Sequence, residues 1–470
     1  MARLPAAAAI ALLALAILAA PAAAEPGQLD STFGTAGKLV VARHTYEGEV
    51  RAAPLPDGRT VIANWKEVRL LLPSGAIDRG FGAGGVAPLG LPPGTAGASV
   101  AALAVDGQGR IDVAATVRLE STPPATYDPI ATLFDTPSRV LIERFTPDGR
   151  PDPSFSGDGV LVTDFGLPPP SVPGHSGLPS IVEARGLAID PQGRIVLTGL
   201  RTSGVGCFLA KIGVFLAAGE AFLTRLLPEG VPDASFGGTG NVALSGAILV
   251  GGPFTDDDGG IFVSTSAHPN CTATSAPPPT LFHLLADGTA DAGFGSGAGV
   301  PLAKPGRPEL SLGGVDAAGR ALLLGVRPTR RDRPNRILVR RLQADGSLDD
   351  SFGTGGTAIA PGLRFDRERL AVEAGGDILV ATNLRGTREG GRRSAQPSGI
   401  LLVRLRPDGS LDRSFGDRGE VAIRFGGDRS VYLRSLDLVG SDRALVSAEW
   451  LGRRKPLKRN GLALARVQLH

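Results

Sequence analysis

Residues that could carry catalysis or bind a metal are few in this 470-residue sequence, and none of them forms a recognised motif. No P-loop, dinucleotide-binding fingerprint or nucleophile elbow occurs. Segment 256–259 (Asp-Asp-Asp-Gly) looks like the start of a calcium loop, but it lacks the later glutamate of an EF-hand. Metal-ligand spacing is absent from the five histidines, which are His44, His175, His268, His283 and His470. The sequence therefore predicts no catalytic residue, no metal site and no cofactor.

Positive charge is concentrated in segments 327–336, 385–393 and 453–459, which hold 14 basic residues with three acidic residues in or near them. Such a surface attracts polyanions over long range, unless it is only a solvated face screened by salt. The candidate anion-binding residues are Arg327, Arg330, Arg331, Arg333, Arg385, Arg388, Arg392, Arg393, Arg453, Arg454, Lys455, Lys458 and Arg459. No aromatic residues interleave with these charges, which disfavours stacking on nucleic-acid bases.

One short phrase recurs seven times: Asp-x-x-Phe, in most copies followed by a glycine and then by a second one. The copies occupy 30–37, 78–85, 152–159, 233–240, 291–299, 349–356 and 412–419. The shared pairs are Asp30 and Phe33, Asp78 and Phe81, Asp152 and Phe155, Asp233 and Phe236, Asp291 and Phe294, Asp349 and Phe352, and Asp412 and Phe415. An Asp side chain closes a tight turn, glycine permits positive φ, and phenylalanine fills a core.

Four short apolar runs per copy, bounded by turn residues, predict the strands between the phrases. In the last copy they are 420–424, 431–438, 443–448 and 461–468. The 66 glycines and 38 prolines exclude a helical bundle, and 42% apolar residues suffice for a large core. Seven units of four antiparallel strands predict an all-β fold, a single seven-bladed β-propeller over 25–470. A solenoid is disfavoured because no capping unit is present at the C-terminal end.

The segment 407–416 reads Pro-Asp-Gly-Ser-Leu-Asp-Arg-Ser-Phe-Gly, and 344–353 is closely related to it. Both resemble the delta-60 repeat, and weaker copies extend the resemblance over nearly all of 25–470. The second and fourth copies match less well, with Arg79, Gly80 and Ala234 where polar residues are usual. The resemblance implies membership of a bacterial β-propeller family of unknown function, with export in many members and no catalytic residues to transfer.

Residues 1–24 have the features of a secretory signal peptide: Arg3, an apolar run from 4 to 20, and alanines at 22–24. A membrane anchor is the alternative, although a run of about 17 apolar residues is short for a bilayer span. We therefore expect the mature chain, 25–470, to be secreted or periplasmic and to have no membrane span after the leader is removed.

We expect each copy to form one blade of strands a to d, numbered from the inside outwards, with the repeat phrase joining strand d to the next strand a. Strand alternation then places the b–c turns and the phrases at one end of the propeller. The a–b and c–d loops, including the charged ones, lie at the other end, where binding is usual. The N-terminal phrase has no preceding strand d, so it should fill the gap between blades 7 and 1, with Phe33 as the plug.

Cys207 and Cys271 fall in equivalent c–d loops of the third and fourth blades. Adjacent blades place such loops side by side, so a disulfide is expected in an oxidising compartment, and two free thiols are the alternative. Segment 208–216 has apolar residues at helical spacing, which predicts a short helix on the rim. Contact of that segment with a partner or with lipid is the alternative interpretation.

These features predict an exported, non-enzymatic binding or scaffold propeller. Its expected partner is an anionic polysaccharide, lipopolysaccharide or another polyanion such as extracellular DNA, or another exported protein. We expect a monomer that makes no sequence-specific contact with nucleic acid. The alternative is a propeller hydrolase or lyase acting on polysaccharide, with a carboxylate pair that folding brings together near the central channel.

Overall fold

The computed structural model describes residues 25–42, 50–120, 137–166, 181–209, 214–244, 247–267, 278–303, 309–327, 336–361, 368–385, 388–389, 392–393, 397–426, 429–452 and 460–470. They form a seven-bladed β-propeller, each blade a four-stranded antiparallel sheet, which confirms the predicted fold. Within these ranges no helix has the length and apolar character needed to cross a membrane. The predicted leader lies outside them.

The strands are numbered in chain order from β1 (Lys38–Ala42), which belongs to the last blade. Blade 1 consists of β2 (Arg51–Pro54), β3 (Thr60–Ala63), β4 (Glu67–Leu71) and β5 (Val86–Pro88). Blade 2 consists of β6 (Thr95–Val105), β7 (Ile111–Leu119), β8 (Ser138–Phe145) and β9 (Val160–Thr163). Blade 3 consists of β10 (Val182–Ile189), β11 (Ile195–Leu209), β12 (Val214–Leu226) and β13 (Asn241–Leu244). Blade 4 consists of β14 (Ala247–Thr255), β15 (Ile261–Ala267), β16 (Thr280–Leu284) and β17 (Val300–Pro301).

Blade 5 consists of β18 (Leu310–Val315), β19 (Ala321–Arg327), β20 (Arg336–Arg341) and β21 (Thr357–Pro361). Blade 6 consists of β22 (Glu368–Val372), β23 (Ile378–Arg385), β26 (Pro397–Leu405) and β27 (Glu420–Arg424). A small ribbon of β24 (Arg388–Glu389) and β25 (Arg392–Arg393) lies between β23 and β26. Blade 7 consists of β28 (Arg429–Val439), β29 (Arg443–Gly452), β30 (Asn460–Gln468) and the outer strand β1. A 3-10 turn, Phe294–Gly297, precedes β17.

The apolar core lies between the blades. The first strands of all seven blades touch in a closed ring, so they surround the centre. The second strand of each blade lies between two strands of its own sheet and between two neighbouring blades. Both of its faces are therefore buried, which explains runs such as Val61-Ile62-Ala63 in β3, where every side chain is fully buried.

The chain termini close the ring, because β1 pairs with β30 along its whole length, from Lys38 opposite Ala465 to Ala42 opposite Gly461. Just before β1, Phe33 is completely buried in a cluster that joins Ile62 of blade 1 to Leu464 of blade 7. The N-terminal phrase thus fills the gap between blades 7 and 1, in the place that the sequence analysis assigned to it.

The expected register of repeats and blades is wrong by one strand. The repeat phrases join the third strand of a blade to its own fourth strand, as 78–85 joins β4 to β5, and not strand d to the next strand a. The first run of each copy, such as 420–424, is therefore the outer strand of the preceding blade. A cyclic repeat has the same period wherever it is cut, so spacing alone cannot locate the blade boundary.

The two ends of the propeller differ as expected once the strand letters are corrected. The turn face carries the a–b turns and the repeat phrases, for example 55–59 and 72–85 in blade 1. The loop face carries the b–c loops and the connections between blades, for example 64–66 and 89–94. The segment predicted as a rim helix is a hairpin instead, since β11 and β12 pair as far as Leu209 opposite Val214. The hydrogen-bonded pairing of β11 with β12 continues to these residues. This tertiary pairing outweighed the helical spacing of the apolar side chains.

Candidate functional site

Each repeat phrase on the turn face packs against the next blade, and we call this contact a joint. Joints 1 to 7 contain the phrases at 78–85, 152–159, 233–240, 291–299, 349–356, 412–419 and 30–37. In every joint the residue after the phenylalanine donates its backbone N–H to a turn carbonyl outside its own phrase. The seven pairs are Gly82 to Asp148, Ser156 to Glu229, Gly237 to Asp287, Gly295 to Asp345, Gly353 to Asp408, Gly416 to Pro26 and Gly34 to Ser74. These bonds fix every blade to its neighbour at an equivalent point.

Joint 5 shows how the repeat residues work. Asp349 accepts a hydrogen bond at Oδ1 from the N–H of Ser351 at 3.1 Å, which closes the turn. The ring of Phe352 is fully buried under it. Gly409, from the next blade, lies against this ring at a φ of +84°, and a Cβ there would come within 3.0 Å of the ring. The repeat Asp makes the same bond in the other joints, at Asp30, Asp78, Asp152, Asp233, Asp291 and Asp412.

Most joints also contain an arginine that the sequence analysis did not single out. Arg466 donates from Nε to Asp30 Oδ2 at 2.7 Å, lies 4.8 Å from the ring centroid of Phe33, and donates to the carbonyl of Gly58 in blade 1 at 3.2 Å. The equivalent arginines over their phenylalanines are Arg144, Arg225, Arg341 and Arg404. Each of those four stands eight residues before the repeat Asp, and that spacing is the signal that could have revealed it.

Charge pairing sets the ionisation of these buried groups. Burial alone would raise the pKa of Asp30, but hydrogen bonds from Thr32 and the charge of Arg466 hold it below its ordinary value. The Ser351 hydroxyl, together with Arg341, likewise lowers the pKa of Asp349. In blade 2, burial raises the pKa of Asp112 to about 6 in spite of its pairing with Arg144. In joints 7 and 5, the carboxylates of Asp30 and Asp349 are thus held as anions by bonds that stabilise the fold.

Two joints depart from this arrangement. Leu70 replaces the arginine in joint 1 and is fully buried. His283 replaces it in joint 4, with Nδ1 2.8 Å from Asp291 Oδ2 and Nε2 3.0 Å from Asp256 Oδ2. Since a carboxylate only accepts, both bonds form at once only when each ring nitrogen carries a hydrogen. The imidazole also stacks on Phe262 at a centroid distance of 4.3 Å.

The loop-face half of the inner strands contains a pocket of about 470 Å³ between blades 1, 2 and 3, which we call the inner-strand pocket. Its charged lining residues are Arg51, Arg118, Glu183 and Arg185. Arg51 donates from Nε to the carbonyl of Ala101 at 3.0 Å, and Arg185 forms an ion pair with Glu183 at 2.6 Å. Three cations against one anion make this pocket positive.

A second depression of about 830 Å³ runs along the rim between blades 5 and 6. It is lined by Arg327, which is exposed, and by Arg340, Asp408 and the hydroxyl-bearing residues Thr354, Thr357 and Ser410. Arg327 was among the predicted anion-binding residues, and the structure places it at the loop-face end of β19. The groove therefore leads from the turn-face phrases to the first of the basic loops.

The remaining predicted site residues are only partly covered by the structure. Arg385, Arg388, Arg392 and Arg393 have described backbone in blade 6, where Arg388 lies opposite Arg393. Cys207 has described backbone in β11. The others lie outside the described residues and are Arg330, Arg331, Arg333, Arg453, Arg454, Lys455, Lys458, Arg459 and Cys271. The disulfide and most of the basic surface therefore stay predictions.

The described part of the chain contains no group of three or more His, Cys, Asp or Glu side chains arranged to hold a metal ion. Segment 256–259 forms the a–b turn of blade 4, where Asp256 Oδ1 accepts from the N–H of Asp258 and of Gly260. Its other oxygen contacts His283. This carboxylate is committed to the turn and to joint 4.

Comparison with known proteins agrees with the fold and goes no further. The sequence model of a family described as a domain of unknown function (DUF5122) beta-propeller matches residues 323–352 and 390–415. This supports a resemblance to a β-propeller family of unknown function, whose relation to the delta-60 repeat stays a prediction. No curated protein matches the sequence.

Several solved structures match this chain at low sequence identity. A protein of unknown function from Dyadobacter fermentans has 14% identity and a TM-score of 0.43, with 81% of this chain and 100% of that chain covered. A Hadza microbial sialidase has 12% identity and a TM-score of 0.38, with coverage of 88% and 75%. A sialidase from Trypanosoma rangeli has 10% identity and a TM-score of 0.38, with coverage of 92% and 59%. With TM-scores below 0.5, these similarities carry no conclusion about this chain.

Proposed function

We propose that this chain is an exported binding propeller that holds an anionic surface polymer, such as an acidic polysaccharide or lipopolysaccharide, against its loop face. The observation that carries the proposal is the direction of the strands. β19, β23 and β29 all run toward the loop face, so the three basic segments begin at the loop-face ends of strands in three consecutive blades.

Two further features support binding over catalysis. The inner-strand pocket opens on the same half of the molecule and is also positive. Among the lining residues that the structure describes, the one carboxylate is Glu183, and it is paired with Arg185. A glycosidase of the usual kind uses two carboxyl groups, about 5–10 Å apart, one on each side of the scissile bond.

The test is retention of the mature chain on immobilised heparin and alginate during a salt gradient. Binding through phosphate-like or carboxylate charges should weaken steeply with salt, because counterions are released. Replacing Arg392, Arg393, Arg453 and Arg454 by Ser should abolish retention. The matched control removes four exposed arginines from the turn face, namely Arg79, Arg150, Arg413 and Arg418.

Equal loss of retention in both quadruple variants would show that net charge alone governs binding and would overturn the assignment to the loop face. Incubation with the same polysaccharides decides the alternative function. Release of reducing ends would identify a hydrolase, and release of unsaturated sugars would identify a lyase.

A further inference from the structure

The walls of the inner-strand pocket are β-strands and not loops. It is formed by β2, β6 and β10, three strands of the central ring, with the end of β7 beside them. Register shifts between Val100 and Ala102 and between Ala184 and Gly186 bend two of these strands at the pocket. Its 470 Å³ lies within the range of about 300–1,000 Å³ that is typical of small-molecule sites.

The pocket wall leaves room because its residues are small. Gly97, Ala98, Ser99, Ala101 and Ala184 all line it. No aromatic residue is among the lining residues that the structure describes, so a ligand would not be held by stacking on its face. Recognition there depends on charge and hydrogen bonds.

Two of the three arginines that line the pocket are held in place by neighbouring groups. Arg51 is anchored to the Ala101 carbonyl, and Arg185 is anchored to Glu183. Thr116 accepts at Oγ1 from the N–H of Ala184 at 3.0 Å, which leaves its hydroxyl hydrogen to donate. Arg118 is exposed and forms no ion pair within the portion of the chain that is described. Guanidinium groups bind planar carboxylates through two parallel hydrogen bonds.

We propose that the inner-strand pocket binds a carboxylate-bearing sugar, such as a single uronic acid residue, with Arg118 as its principal carboxylate ligand. The inference rests on the proposed function, since it supplies a specific subsite for an acidic polysaccharide held on the same face. The pocket lies in blades 1 to 3, whereas the basic segments follow strands of blades 5 to 7, so each can be removed without altering the other.

Titration calorimetry with digalacturonic acid tests the pocket, and the methyl ester of the same disaccharide is the neutral control. We expect binding of the acid and not of the ester. Arg118→Gln should weaken binding by about tenfold or more, as expected for a lost charge-assisted hydrogen bond. Arg118→Lys keeps the charge but cannot form the two parallel hydrogen bonds of a guanidinium. Its affinity should lie between those of the wild type and Arg118→Gln. Arg79→Gln, an exposed arginine on the turn face, should bind as the wild type does.

Heparin retention separates this proposal from the proposed function. If Arg118→Gln binds digalacturonic acid as tightly as the wild type, or if acid and ester bind alike or not at all, the pocket assignment is overturned, whatever heparin does. If the loop-face quadruple variant keeps its heparin retention while Arg118→Gln no longer binds digalacturonic acid, the pocket assignment is supported. The proposed polyanion binding by the basic loop-face segments is then overturned. Circular dichroism verifies that each variant is folded.

Discussion

The five joints with an arginine differ from joints 1 and 4 in how deeply they bury the repeat aspartate. Its side chain is between 1% and 9% exposed in the five joints and 22% exposed in joints 1 and 4, at Asp78 and Asp291. A carboxylate is buried only where a partner offsets the loss of water. The joint arginine is that partner in joints 3, 5 and 7. In joint 2, Arg144 pairs with Asp112 instead, and the ion pair of Asp152 is with Arg110 at 3.9 Å.

Joints 1 and 4 compensate for the missing arginine in different ways. In joint 1, Leu70 packs with Phe81 in one apolar cluster, and Arg59 from the a–b turn donates to the Pro147 carbonyl of blade 2 at 3.4 Å. In joint 4, His283 contacts Asp256, Asp291 and two phenylalanines, all from blade 4 and its phrase. In joint 1, Arg59 thus bonds to the next blade, whereas in joint 4 these contacts of His283 lie within its own blade.

The largest expected effect is at the closing joint. Phe33→Ala should lower the free energy of unfolding by about 3–5 kcal/mol, because it empties a fully buried site between the two chain ends. Chemical denaturation measures it, with Phe33→Leu as a control that should cost about 1 kcal/mol. A loss below about 1 kcal/mol for the alanine variant contradicts a closing role for this ring.

Arg466→Met should cost about 3 kcal/mol, since buried Asp30 would lose its hydrogen-bonded cation and keep only the longer ion pair with Arg443, at 3.7 Å. Arg413→Met is the matched control. Its arginine is exposed in the phrase of joint 6, so the change should stay within about 0.5 kcal/mol. Equal unfolding free energies for the two variants would mean that the buried arginine does not stabilise its joint.

Asp349→Asn and Asp78→Asn compare an arginine joint with joint 1 directly. The first should cost about 2 kcal/mol at neutral pH and the second less than about 1 kcal/mol, because only Asp349 loses a buried charge-assisted bond to arginine. The pKa of Asp349 is lowered in the native state, so its contribution is complete above the ordinary value of 3.8 and disappears as pH falls through the native pKa.

Urea denaturation of both variants at several pH values measures this. The difference between wild type and Asp349→Asn should shrink as the medium becomes acidic, because the asparagine does not titrate. A difference that is constant from neutral to acidic pH would show that the ion pair is not its source.

The smallest expected effect is a gain. His283→Arg restores the usual residue to joint 4 and should reach a carbonyl of blade 5, as Arg341 reaches Pro407 of blade 6 at 2.7 Å. One such bond contributes about 0.5–1.5 kcal/mol. His283→Gln is the control and should destabilise, because it loses one of two carboxylate contacts. Destabilisation by the arginine as well would show that blade 4 has adapted to histidine.

The repeat phrase revealed much of the turn face in advance because its function is local. Asp349 bonds to the residue two positions on, and Phe352 follows one residue later, so a short window of sequence contains the whole turn. The arginines were missed because Arg341 acts across a longer interval, on a partner eight residues away and on a carbonyl in another blade. The inner-strand pocket was missed because its lining residues come from three blades.

By itself, the sequence determined the number of blades, the all-β fold, the two unlike faces and the closing position of Phe33. Each of these follows from spacing along the chain and from the alternation of antiparallel strands. The tertiary structure alone decided where one blade ends and the next begins, that 208–209 and 214–216 pair as strands instead of forming a helix, and which arginines enter the joints. Those features depend on contacts between residues far apart in sequence, such as Asp30 and Arg466. Such contacts stabilise the fold only once the ring has closed, so local sequence patterns do not reveal them.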